Sequence, residues 1–145
     1  MKVYNKSLKK INKSSFLSIF FLIFLLSNYS DAAWEKVTVG ENGQTFYIDK
    51  DQIEETENYV YFWELVDYSI PDEYGDLSAR IFIQGDCQQF RFQWLYISYH
   101  KESMAADQSK VVKASELVAG WQNPYSHSTA KSVLEYVCNY VGLML

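Results

Sequence analysis

From Trp34 to Tyr99 the apolar side chains return at every second position, and only beyond Pro124 does their spacing lengthen to three and four. A period of two is that of a strand with two faces; a period of three to four is that of a helix with one buried stripe. A chain patterned in this way builds a sheet first and lays one helix on it afterwards, so the fold class expected is α+β. Pro124 enforces the change, because it has no amide donor and disfavours helical geometry at Asn123. The helix must begin after it. Its apolar stripe runs through Val133, Leu134, Val137, Cys138 and Val141, with Lys131, Ser132, Glu135 and Asn139 opposite.

Cys138 thus lies on the buried stripe. The one other cysteine, Cys87, falls in Gly85–Gln88, between two strand-like runs, which puts it at a sheet end within reach of a crossing helix. An even pair in an oxidising compartment reads as a disulfide, since a metal site would need two more ligands.

The oxidising compartment is inferred from residues 1–32, expected to be a secretory signal peptide. Lys2, Lys6, Lys9, Lys10 and Lys13 make a basic leader, Phe16 to Leu26 is an uncharged apolar run, and Ser30-Asp31-Ala32 supplies small residues around a cut. A spanning helix needs ~20 apolar residues, and polar Ser27 and Asn28 end this run too soon, so no transmembrane span is expected after cleavage. The exported domain is then residues 33–145, long enough for one core. It holds eight basic and seventeen acidic residues, a net charge of −9. Nucleic acid is excluded as a partner, because a phosphate backbone is neutralised by clustered Lys and Arg, and the domain has no such cluster.

Trp34–Val39 and Gln44–Ile48 flank Gly40-Glu41-Asn42-Gly43, and Asn42-Gly43 is a hairpin-turn dipeptide, so these two strands are antiparallel. Glu54, Glu55 and Glu57 read as a solvated connection. Tyr59–Tyr68 is apolar or aromatic on both parities, as a central strand covered on each side would be. Glu64 interrupts one of those faces. A carboxylate at a rim or bonded to a neighbouring strand is the simpler expectation, and an acid of raised pKa the alternative. Ser78–Asp86 and Gln89–Tyr99 alternate again, the latter with Phe90, Phe92, Trp94 and Tyr96 on one face. Lys110–Lys113 suggests a short edge strand, and Ala114–Gly120 one or two helical turns. Trp121 reads as a plug in the seam between sheet and helix.

Catalytic chemistry finds little support. The two histidines, His100 and His127, have no metal spacing around them, and Gly-x-Ser-x-Gly and phosphate-binding glycine loops are absent. His100 reads as a solvated loop residue. No metal, no cofactor and no enzyme activity are expected.

The order and spacing of several of these features resemble the surface-adhesin protein E family. They are the opening Trp34, Phe46-Tyr47-Ile48-Asp49 followed by Ile53, the run Val60 to Tyr68, Ser78, Asp86-Cys87, Trp121, Ser128 and Tyr136 to Tyr140. The resemblance implies an antiparallel sheet of about six strands with the C-terminal helix across one face, fastened by a disulfide. It also implies Ser128 as the helix N-cap, where the residues alone leave Ser126 and Ser128 open. In function it implies a non-enzymatic envelope protein, periplasmic, cell-surface or secreted, that binds a protein or extracellular-matrix-type macromolecule. A periplasmic accessory protein with no host ligand is the alternative. The binding residues expected are Asp72, Glu73 and Asp76 in the loop Ser69–Asp76, with solvent-facing aromatics, because loops on a rigid sheet carry recognition.

Overall fold

The computed structural model describes residues 34–115 and 120–143. The signal-peptide expectation and most of the helical turns expected in Ala114–Gly120 therefore lie outside the described residues. Seven antiparallel strands form one sheet: β1 (Trp34–Val39), β2 (Thr45–Asp49), β3 (Glu54–Glu55), β4 (Val60–Asp67), β5 (Ser78–Asp86), β6 (Arg91–His100) and β7 (Val112–Lys113). Their order is β1-β2-β4-β5-β6-β7. β2 pairs with the second half of β4, from Glu64 to Asp67, and β3 takes the place left beside Tyr61 and Val60. The acidic connection is thus in part a ladder segment, because a backbone beside an unpaired stretch of β4 satisfies its amides there.

The helix α1 (Thr129–Tyr140) begins where the resemblance places it. Ser128 is extended, and its Oγ accepts from the Lys131 N–H at 3.1 Å, taking up an orphan donor of the first turn. Val133, Leu134, Val137 and Cys138 are buried, and Lys131 pairs with Glu135 on the outer side. They meet the inward parity of the sheet: Ile48 from β2, Val60, Phe62 and Val66 from β4, Ile81 and Ile83 from β5, Phe92 and Ile97 from β6. Gly85 lies where helix and sheet meet. A Cβ there would stand 3.0 Å from both Leu134 Cδ1 and Val60 Cγ2, so any larger residue would make these side chains give way by a few tenths of an ångström.

Cys87 follows β5 and bonds to Cys138, 51 positions later, with the Cα atoms 5.7 Å apart. Near the N-terminal edge of the sheet Tyr136 donates to Glu35 at 2.7 Å, and Glu35 also holds Lys50.

One register feature departs from simple alternation. Ile83 faces Trp94, but Phe82 faces Tyr96, so Leu95 is an extra residue in β6. Such a bulge moves every later side chain to the opposite face. Trp94 stays under the helix, and Tyr96, expected beside it, turns to the uncovered side. Trp121 also sits elsewhere than expected: it stacks on Tyr59 at 5.5 Å with the Arg91 guanidinium 4.4 Å from its ring. The neighbouring Gln122 forms a bridge with Phe92, which carries this segment along the sheet edge.

Candidate functional site

Three places in the molecule gather chemistry-bearing side chains. The first is the face of the sheet away from α1. Tyr61 and Trp63 of β4, Phe82 of β5 and Tyr96 of β6 share it, with ring centroids 6.2 Å apart for Tyr61–Phe82, 5.0 Å for Trp63–Phe82 and 6.3 Å for Phe82–Tyr96. This band crosses three strands because the paired positions Trp63, Phe82 and Tyr96 lie in one row of the ladder. Tyr61, Trp63 and Phe82 are half-buried and Tyr96 is 45% exposed. Arg80 lies beside the band, its guanidinium 4.8 Å from the Trp63 ring and 5.4 Å from Trp34. Its Nε is buried with no hydrogen-bond partner among the described residues, and burial lowers its pKa while Asp49 works the other way. The rings hold this cation through their faces.

The second place is the loop carrying Asp72, Glu73 and Asp76. Asp72 Oδ1 accepts from the Tyr74 and Asp76 amides at 2.9 and 2.8 Å, closing a turn in which Gly75 takes φ +78°. Asp76 is buried and pairs with Lys101 at 2.8 Å. Two of the three acids thus fix the loop, and the loop presents Glu73, Ile70 at 74% exposure and Tyr74 at 75%. The structure keeps the three residues together but gives them different work.

The third place combines Ser98, His100 and Asp107. His100 Nδ1 lies 2.9 Å from the Asp107 carboxylate and its Nε2 lies 2.9 Å from Ser98 Oγ. Since a carboxylate can only accept, Nδ1 carries the proton that faces it, and Nε2 and the Ser98 hydroxyl share the second hydrogen bond. This is the connectivity of a nucleophile, a base and an orienting acid. Ser98 and His100, however, are 2% and 4% exposed, so no carbonyl reaches the hydroxyl. His100 ends β6 as a buried residue, against the expectation of a solvated loop histidine. The role of the group is structural. With Ser78 accepting from Ala105 and Asp67 accepting from Ser103 and Met104, it pins residues 101–107 over the end of the sheet. Asp107 is held below its ordinary range. Desolvation opposes this, but hydrogen bonds from Lys101 N–H and His100 outweigh it. Among the described residues no cluster of three His, Cys, Asp or Glu is placed to hold a metal.

The sheet, the crossing helix and the disulfide at its far end are the geometry against which known proteins can be compared. A family model described as surface-adhesin protein E matches residues 34–139. The chain belongs to the surface-adhesin protein E family. Two crystal forms of Haemophilus influenzae protein E share the fold. One aligns at a TM-score of 0.56 with 14% identity, covering 76% of this chain and 88% of the other. Crystal form II aligns at 0.54 with 16% identity, covering 73% and 89%. No curated protein matches the chain. Membership makes the chain a surface-adhesin-like protein. Among the described residues no helix is long and apolar enough to cross a membrane.

A pocket that the sequence did not reveal lies between α1 and the sheet. It has a volume of about 90 Å³ and opens on one side; Phe46, Phe62, Phe92 and Trp94 give it rings, and Ala130, Val133 and Leu134 close it from the helix. Glu64 points into it. Glu64 is 7% exposed and has no hydrogen bond or ion pair among the described residues. Burial pushes its pKa up to about 8. Of the two expectations for Glu64 the structure takes the less simple one, because Ile48 and Ile81, its neighbours on the paired strands, offer no side-chain donor.

Proposed function

We propose that this member of the adhesin family is an exported, non-enzymatic envelope protein. It binds a protein or extracellular-matrix-type macromolecule through the aromatic face of its sheet and the loop at 69–76. The observation that carries this reading is the ring band Tyr61–Trp63–Phe82–Tyr96, which stays open to water although its rings have the composition of a core. Such a face gains free energy when a partner covers it, and aromatic residues beside an arginine are the side chains that most often dominate binding energy. Residues 33–145 carry a net charge of −9 and Glu73 is exposed at the loop tip, so the partner presents a basic patch, and association weakens as salt screens it. Polyanions such as heparin bind poorly.

The test is a salt series against candidate matrix proteins with the wild type, Tyr96→Ala and Glu73→Lys. Glu73 is the cleaner charge reversal, since Asp72 closes the turn and Asp76 is buried. Tyr96→Ala should weaken binding by about 5- to 30-fold, the range of a buried aromatic anchor. Glu73→Lys should flatten the salt dependence. Binding indifferent to both changes ends this reading, as does protein that resists protease on intact cells and leaves only on osmotic shock. That second outcome would assign a periplasmic accessory role.

A further inference from the structure

The orphaned acid under the helix is independent of the adhesin surface, since its parity places it on the other side of the sheet. A buried carboxyl normally has partners, and one kept without them in an open pocket is short of a donor or a positive charge. Around it stand Phe46, Phe62, Phe92 and Trp94. Rings of this kind attract cations as well as hydrocarbon. The volume of about 90 Å³ is well short of the ~150 Å³ that accommodates benzene, which favours a linear chain over a ring. Thr129 supplies one hydroxyl at the rim, and Glu64 is the only titratable group among the residues lining the pocket, from sheet or helix.

We propose that the pocket between α1 and the sheet binds the end of a linear primary alkylammonium, its charge on Glu64 and its methylenes among the four rings. The domain's charge of −9 draws cations toward it, and the open side lets the remainder of a longer molecule project. The same chemistry ends a lysine side chain and a free polyamine. Because burial keeps the acid protonated to about pH 8, binding the cation releases a proton, and affinity rises with pH up to that value.

The probe is n-butylammonium chloride, titrated into the disulfide-bonded full-length protein and followed by the amide resonances of 129–134 and 62–64, with n-butanol as the uncharged control. The expected result is a dissociation constant that tightens at least tenfold from pH 6 to pH 8.5, with n-butanol weaker and insensitive to pH. Glu64→Gln should remove the pH dependence and weaken butylammonium at least tenfold. Ala130→Leu, which fills the pocket and leaves Glu64 in place, should abolish binding of both probes. Displacement by Nα-acetyllysine amide would point to a partner's lysine as the source, and displacement by 1,4-diaminobutane to a polyamine. Equal binding of butylammonium and butanol, binding unchanged in Glu64→Gln, or no saturable shift would overturn the assignment.

Discussion

On the face beneath α1, Val60, Phe62, Ile81 and Ile83 are sealed from water; one residue along the same strands, Tyr61, Trp63 and Phe82 are half open and Tyr96 is exposed. Both sets are large and apolar, and both alternate with the same period. The difference lies in what covers them. The helix supplies Val133, Leu134 and Val137 to the first face, and a disulfide and Gly85 hold it close. Over the second, the described residues put only the pinned segment 101–107 at one end, and the rest is kept in order by ring stacking and by Arg80 between two indoles. The first face is core, whereas the second is sealed only toward the end that holds Leu65, Ser78 and Ser98 and stays part-open along the ring band. Hydrophobicity along a strand reports that a face is apolar; it does not report which partner buries it.

The comparison breaks most easily at the staple. Cys138→Ser should cost ~2–5 kcal/mol, since a loop of this length removes ~4 kcal/mol of unfolded-chain freedom. Mass mapping without reductant should recover Cys87 and Cys138 in one linked peptide. Next comes the helix stripe: Leu134→Ala should cost ~2–5 kcal/mol in chemical denaturation, and Glu135→Ala on the outer side less than ~0.5. Tyr96→Ala on the open face should stay below ~1 kcal/mol, and a cost equal to that of Leu134 would make both faces core.

Glu64 sharpens the contrast by pH. Its folded pKa, about 8, lies above its unfolded value near 4.5, so the folded state holds the proton more tightly. That contribution is complete below pH 4.5 and is lost as pH rises through 8. Wild-type stability should therefore fall by ~2 kcal/mol across this window relative to Glu64→Gln, less than the full ~1.4 kcal/mol per unit because water enters the open side. Denaturation midpoints of the two proteins, measured from pH 5 to 9, should converge at the acid end. A smaller effect than that of Glu64 is expected at the cap. Ser128→Ala should cost ~1 kcal/mol, and Ser126→Ala much less, because Ser128 alone accepts from Lys131.

The sequence by itself determined β1, β2, β4, β5 and β6 as far as Tyr99, the hairpin at Asn42-Gly43, the helix after Pro124, its buried stripe and the cysteine pair, but neither β3 nor the place of His100 in β6. These are written in local periodicity and in residues with special backbone behaviour, which act over a few positions. Tertiary structure decided the rest. An extra residue at Leu95 carried Tyr96 to the open face, and a bulge leaves the alternation of residue types intact while changing where it points. Pairing of β4 with β2 and β5 put Glu64 between two isoleucines and under a helix more than sixty positions away, so its missing partner is invisible in the chain. The loop acids were legible as a group. Which of them caps, which is buried and which faces solvent depended on Lys101 and on turn amides that only folding brings together.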